Sequence, residues 1–250
     1  LIKYGHSPLS LFPGITGGYA EYIYLFPGTG IFPLPEGLDN AIVVPANCAL
    51  ATAVCATETI GGITPGESVL IFGAGLLGTY LAALCKESGA NPVLVVDINT
   101  TRSKTVLAFG ANISYSDGAD SVSIIEWARH NSKNKKGIDV VFEACGNPQA
   151  VTTAIKALRI GGKLMIAGLV TPESNILLDG NEITRKYLTV SGIHNYHPVH
   201  LGKALKFLQS TIHKYPFHQL VGQIVDLTDI NHAFELAKQG KFRRVGVKCR

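Results

Sequence analysis

The most constraining feature of this chain is the junction at residues 69–78. An all-apolar run of strand length, Val69-Leu-Ile-Phe72, passes without a break into Gly73-Ala74-Gly75-Leu76-Leu77-Gly78 and then into a stretch of helical periodicity. A G-x-G-x-x-G pattern says little alone, but between a strand and a helix each glycine has a mechanical task. The first permits a tight turn, the second keeps a Cβ out of the path of an approaching group, and the third lets the helix lie close on the strand. The helix then offers unpaired backbone N–H groups and the positive end of its dipole to an anion. Leu77, Leu81 and Leu84 share one face of that helix, which reads as packing against a sheet.

The junction begins a regular alternation. Apolar runs of strand length fall at 68–72, 92–97, 112–115, 138–144, 163–168 and 188–193, with helix-length stretches at 75–88, 100–109, 121–130 and 148–159. Strands that are nearly all apolar, separated by helices, indicate an α/β fold with a doubly wound parallel sheet covered on both faces. Between the last two strands the pattern offers no helix, only an apolar run at 174–179 that suits an extra edge strand. Residues 1–45 are rich in Gly, Pro and aromatics and read as sheet and loop, with one alternating segment at 19–25 that predicts a strand. A helical pattern covers 47–62, and after residue 193 the order is helix 200–212, strand 220–226, helix 231–239 and strand 244–248.

Composition narrows the function. Twenty-two Lys+Arg against 18 Asp+Glu give a net charge of +4, and the one basic run, Lys133-Asn134-Lys135-Lys136, reads as a solvated loop, so no nucleic-acid partner is expected. No stretch approaches the roughly 20 apolar residues that span a bilayer, and residues 1–20 lack the layout of a signal peptide, so no membrane partner is expected either. The five cysteines, at 48, 55, 85, 145 and 249, are widely spaced with no Cys-x-x-Cys, which predicts reduced thiols in a cytoplasmic protein. The chain opens Leu1-Ile2-Lys3-Tyr4 and its single Met is Met165, which leads us to expect a fragment of a longer protein.

Asp97, 19 residues past Gly78, ends the second strand. An acid there accepts hydrogen bonds from both hydroxyls of an adenosine ribose and repels a 2′-phosphate, so with the glycine turn it forms a dinucleotide fingerprint of Rossmann type that favours NAD over NADP. Leu76 and Leu77 would contribute backbone N–H groups to the pyrophosphate. Arg102, five residues on, could instead pair with a phosphate and keeps NADP open. The plainer alternatives are that Asp97 caps the next helix, and that the glycines make a structural turn or serve another adenosine compound. No tyrosine is followed four residues later by Lys, so the Tyr-x-x-x-Lys pair of short-chain dehydrogenases is missing.

Gly17-Gly18-Tyr19-Ala20-Glu21-Tyr22, Asn47-Cys48-Ala49-Leu50-Ala51-Thr52, the segment from Pro65-Gly66-Glu67 through Gly78, and Gly161-Gly162-Lys163 resemble the medium-chain dehydrogenase/reductase family, in its zinc-dependent alcohol, polyol and threonine dehydrogenase branch. The resemblance implies a nicotinamide domain at 49–194 set into a GroES-like catalytic domain formed by both chain ends, here 1–48 and 195–250 and incomplete. It implies NAD-dependent hydride exchange with an alcohol or carbonyl substrate, assisted by zinc acting as a Lewis acid. By position, Cys48 resembles a zinc ligand and Thr52 a neighbour of the nicotinamide. Ala167, Leu169 and Asn195 fall where the family lines the carboxamide, Cys145 falls on the adenosine side, and Arg244 resembles a basic residue reaching the pyrophosphate, with Arg243 the alternative register. The family also implies a homodimer, joined through the edge run at 174–179.

The departures are equally specific. A catalytic zinc needs about three protein ligands and a water, yet only sixteen residues precede Gly17, and they hold no Cys and one His, His6. The metal site is therefore expected to be incomplete and turnover impaired, a buried small thiol is the competing reading of Cys48, and a non-catalytic dinucleotide module or sensor is the alternative function. The cluster His194, His197 and His200 lies outside the family pattern. Pro198 and the lack of a carboxylate argue against a metal, leaving cleft histidines, His194 foremost, or histidines that simply open a helix.

Overall fold

A computed structural model describes residues 4, 8, 10, 16–116 and 120–249. His6 lies outside the described residues.

Six strands form one fully parallel sheet: β1 (Val69–Phe72), β2 (Val93–Val96), β3 (Ile113–Tyr115), β4 (Ile138–Glu143), β5 (Leu158–Ile166) and β6 (Thr189–Gly192). Their order, β3-β2-β1-β4-β5-β6, starts in the middle, winds to one edge and returns to build the other. The predicted doubly wound α/β sheet is thus observed. Every residue of β1 is buried, because both faces are covered. On one face, α2 (Ala49–Thr59), α3 (Leu76–Glu87) and α8 (Pro198–Thr211) build a core around Leu50, Ile71, Tyr80, Phe142 and Phe217. On the other, α5 (Ser121–Asn131) and α6 (Pro148–Ala157) pack on Leu70, Leu94, Val141 and Leu164. A small parallel pair, β7 (Ile224–Asp226) and β8 (Gly246–Lys248), is joined through α9 (Ile230–Lys238) and has its own core of Val225, Ala233 and Leu236.

Several expectations are corrected. The alternating segment at 19–25 forms no strand, since no partner strand lies against it, and Tyr19, Tyr22 and Tyr24 stand exposed. Residues 1–45 are not only sheet and loop, because α1 (Asn40–Val43) starts there, capped by Asp39, and runs through a 3-10 turn (Val44–Asn47) into α2. The helix read as 148–159 stops at Ala157, where Leu158 already pairs with Ile138 and opens β5. The run at 174–179 forms no strand and joins no ladder among the described residues, and a short helix, α7 (Gly180–Arg185) capped by Asp179, fills what looked helix-free. Among the described residues no single helix is long and apolar enough to cross a membrane; Asn40–Asn47 with Ala49–Thr59 reaches the length only as a pair bent by 48°.

Candidate functional site

The strand order reverses between β1 and β4, so the loops after these strands diverge and leave a crevice at the carboxyl edge of the sheet. The glycine turn forms its floor. Gly73 has φ +101° and packs under β4, where an added Cβ would stand 2.9 Å from the Ala144 carbonyl oxygen. At Gly78 a Cβ would come to 1.8 Å from the Gly73 oxygen, so α3 rests directly on the turn. Gly75 differs: nothing lies within 4 Å of where its Cβ would be. It is also the N-cap of α3 and offers no side-chain cap, which leaves the first-turn N–H groups of Leu76, Leu77 and Gly78 facing an open space. The Leu76 and Leu77 side chains pack into the core, so only their backbones face the site.

Asp97 follows β2 and ties the turn down. Its Oδ2 accepts the Ala74 N–H at 2.6 Å and its Oδ1 the Asn99 N–H at 2.7 Å. The cap of α4 (Thr100–Thr105) is Asn99, which accepts the Arg102 N–H, so Asp97 is not the helix cap. Of the two register options at the C-terminal end, Arg243 reaches the turn and Arg244 does not. Arg243 Nη1 donates to the carbonyls of Ala74 and Gly75 and to Thr79 Oγ1, and Nη2 to the Arg102 carbonyl. Arg244 is exposed, and its side chain makes no hydrogen bond to the turn among the described residues. Burial lowers the pKa of Arg243, the Arg102 guanidinium lowers it further, and Asp97 opposes both.

The opposite wall hangs on a residue the sequence reading passed over. Glu143, wholly buried at the end of β4, accepts the N–H groups of Cys145 and Gly146 on Oε1, at 2.8 and 2.6 Å, and that of Gly168 on Oε2 at 2.9 Å. One carboxylate thereby pins the loops after β4 and β5. The Glu143 carbonyl takes the Ala167 N–H at 3.0 Å, so Ala167 has only its carbonyl left, while no partner is recorded for the Leu169 N–H among the described residues. Burial pushes the Cys145 thiol up to about 12, with the Glu143 carboxylate adding, so this cysteine stays protonated. A charge closing the apolar run Val140-Val141-Phe142 just before Ala-Cys-Gly was the available signal for Glu143.

Cys48 and Thr52 lie at the start of α2, with the Thr52 N–H bonded to the Cys48 carbonyl at 3.3 Å. The loop after β6 is fastened there by Tyr196, whose hydroxyl donates to the Asn47 carbonyl and lies 2.8 Å from Asn47 Oδ1. Burial raises the Tyr196 pKa and the neighbouring Cys48 adds to it. Asn195 turns this loop at φ +67°, a conformation Asn tolerates better than most residues, and His194 beside it is exposed. The other two histidines are a capping device: His197 is the N-cap of α8, accepting the Val199 N–H, and His200 Nδ1 accepts the His197 N–H at 3.0 Å. His200 Nε2 faces Glu58 of α2 at 3.6 Å, a carboxylate that sequence spacing could not reveal. Among the described residues no three His, Cys, Asp or Glu side chains come together to hold a metal ion, so the donor set does not fit a catalytic zinc and Cys48 stands without co-ligands.

Comparison with known proteins agrees on one family. The model described as zinc-binding dehydrogenase matches residues 77–210. L-threonine 3-dehydrogenase of Xanthomonas oryzae pv. oryzae is 28% identical over 243 aligned residues, covering 92% of this chain and 64% of that protein, and the Stenotrophomonas maltophilia protein of the same name is 27% identical with the same coverage. The chain thus spans about 64% of the length of these curated relatives. Among solved structures, an alcohol dehydrogenase of Thermotoga maritima superposes with a TM-score of 0.87 at 24% identity, covering 95% of this chain and 65% of that one. An alcohol dehydrogenase of Thermus sp. ATN1 gives 0.83 at 23%, covering 98% and 69%. At these identities the structural likeness speaks to the fold alone.

Proposed function

The chain belongs to the zinc-binding dehydrogenase family, and from that membership and the crevice geometry we propose that it binds NAD as the nicotinamide-binding portion of an oxidoreductase exchanging hydride with a small alcohol or carbonyl substrate. The observation that carries this reading is the space over Gly75. Gly73 and Gly78 are locked into contact by their neighbours, whereas the middle glycine faces nothing, at a helix N-terminus with open N–H groups. That arrangement suits a pyrophosphate. Asp97, with lone pairs remaining on both oxygens, takes the ribose hydroxyls and disfavours a 2′-phosphate, while Arg243 adds positive charge behind the turn. The Leu169 N–H, the Ala167 carbonyl and Asn195 serve the carboxamide, and Thr52 and His194 border the reacting end.

No chemical step is assigned to zinc, because the described residues supply one of about three protein ligands. That same donor set supports the second reading, a dinucleotide module that binds without turning over. The apolar run at 174–179, with Leu177 86% exposed, supports a homodimer through that edge. Five free cysteines support a reducing cytoplasmic setting. Titrating the protein with NADH by fluorescence while measuring bound zinc and alcohol-dependent NAD reduction tests all of this. Saturable NADH binding supports the proposal, turnover with stoichiometric zinc removes the module reading, and no NADH binding refutes both.

A further inference from the structure

A cavity of about 250 Å³ opens at the amino ends of β1, β4 and β5, on the edge of the sheet opposite the glycine turn. Its walls are the turn before β1 (Pro65, Gly66, Glu67, Ser68), the loop between α5 and β4 (Lys133, Asn134, Lys136, Gly137), Asp139 of β4 and Arg159 of β5. Both carboxylates in this wall are already engaged. Glu67 Oε2 accepts the Thr64 N–H at 2.8 Å. Asp139 Oδ2 accepts the Ser68 N–H and hydroxyl at 2.7 and 2.6 Å, and its Oδ1 takes Arg159 Nε at 2.5 Å. The ammonium groups are not: no ion pair involves Lys133 or Lys136 among the described residues. Lys133 folds over the turn instead of reaching out, with its Nζ 2.9 Å from where a Cβ on Gly66 would stand. Arg159, paired through Nε with Asp139, puts Nη1 on the Ile160 carbonyl at 2.5 Å, and its Nη2 has no hydrogen-bond partner among the described residues.

The geometry points to a second anion site, separate from the dinucleotide crevice, in which Lys133, Lys136 and the free edge of Arg159 hold a tetrahedral oxyanion, either free phosphate or the phosphate end of a phosphomonoester. Two ammonium groups outside any ion pair among the described residues and the outer edge of a guanidinium that already pairs with Asp139 line a concave space, and three cations (Lys133, Lys136, Arg159) against two carboxylates (Glu67, Asp139) leave a local excess of one positive charge. The basic run that sequence alone assigns to a solvated loop is thereby brought against β5, 20 residues beyond Asp139, by the parallel pairing of β4 and β5.

The test is calorimetric titration of the whole chain with inorganic phosphate and, separately, phenyl phosphate at low ionic strength, with NADH at saturating concentration so that the glycine turn is not available. Saturable binding is expected, falling about ten- to hundredfold in a Lys133→Gln/Lys136→Gln variant, the range set by losing charge-assisted hydrogen bonds. Lys206→Gln, an exposed change on α8, should leave it intact and controls for net charge. Tighter binding of phenyl phosphate would assign the site to phosphomonoesters, and tighter binding of inorganic phosphate to the free ion. No saturable binding by the parent chain, or equal binding by the double variant, overturns the proposal. NADH titration of the same variants reports on the crevice independently, so failure at one site is not mistaken for failure at the other.

Discussion

Substituting alanine at Gly75 and at Gly78, three residues apart in one turn, should give opposite results. At Gly78 the new Cβ would sit 1.8 Å from the Gly73 carbonyl oxygen, 2.9 Å from its carbon and 3.3 Å from the Ile71 side chain. Real contacts stop near 3 Å, so α3 must lift from the turn by more than about 1 Å. Overpacking of that kind costs about 1–3 kcal/mol or more, against roughly 1 kcal/mol gained from replacing a helical glycine. For a chain of this size each kcal/mol moves Tm by about 2–4 °C. Gly78→Ala should therefore lower Tm by several degrees and weaken NADH binding with it. Gly75 has φ −67° and ψ −167°, which alanine adopts freely, and open space beyond its Cα. Gly75→Ala should hold or raise stability, by about 0.4–1 kcal/mol through the unfolded chain, yet place a methyl where the pyrophosphate must lie and weaken NADH binding by about tenfold or more. Calorimetric Tm and fluorescence-detected NADH titration read the two effects separately. Unchanged NADH affinity in Gly75→Ala would refute the assignment of the open space to the cofactor, and an unchanged Tm in Gly78→Ala would refute the packing of α3 on the turn.

Asp97→Ala should weaken NADH binding and narrow its preference over NADPH, measured by paired titrations; an unaltered ratio would show that Asp97 does not read the ribose. Arg243→Ala should lower Tm by several degrees, since it strips three acceptors around the turn of a charged donor, while Arg244→Ala should stay within about 0.5 kcal/mol of the parent, as exposed changes do. Glu143→Gln replaces one carboxylate oxygen by an amide NH2, set either against the Cys145 and Gly146 N–H groups or against the Gly168 N–H, which keeps the Glu143 carbonyl at 3.1 Å; it should cost about 1–3 kcal/mol in denaturant unfolding, because a wholly buried group loses charge-assisted hydrogen bonds. Burial works to raise the Asp139 carboxyl, but the Ser68 hydrogen bonds and Arg159 outweigh it and hold the pKa below the ordinary range. With the folded value depressed, its contribution is present above the unfolded pKa of about 3.9 and is lost as pH falls through the folded value. Tm measured against pH should therefore drop less steeply below about pH 4 in Asp139→Asn than in the parent.

The sheet was legible because β1 and β2 are apolar on both faces and β4 nearly so, a pattern that strands covered on both sides need. What escaped the reading depends on partners distant in sequence. Residues 19–25 alternate like a strand, but alternation predicts a face, and a strand needs a neighbour to bond. Residues 174–179 likewise belong to no ladder among the described residues. Arg243 and Arg244 are indistinguishable by composition, and only the approach to β8 decides which one faces the turn. The sequence left His194, His197 and His200 open between lining a cleft and opening a helix, and they divide: Pro198 at the first position of α8 makes His197 a cap and turns His200 back onto it, while His194 is exposed. Glu58, the carboxylate that faces His200, comes from α2, more than a hundred residues earlier.

The Arg243 contacts carry a consequence for how the crevice forms. The β1–α3 turn is local in sequence and could take shape as soon as its two elements pair, but its Ala74 and Gly75 carbonyls and the Thr79 hydroxyl receive the guanidinium of a residue more than 160 positions away. Asp97 holds the Ala74 N–H from β2, so the two polar groups of one peptide neighbourhood are anchored from two different parts of the chain. The turn is thus set between the main sheet and the small β7–α9–β8 unit. That unit's own core, built on Val225, Ala233 and Leu236, is small. Perturbing it with Leu236→Ala, a buried truncation costing about 2–5 kcal/mol, should loosen Arg243 and weaken NADH binding although Leu236 has no contact with the crevice. Hydrogen exchange at the amides of residues 73–79 would then rise together with exchange in β7 and β8. Exchange rising in the small unit while the turn stays protected would show that the turn is self-sufficient and that Arg243 only rests on it.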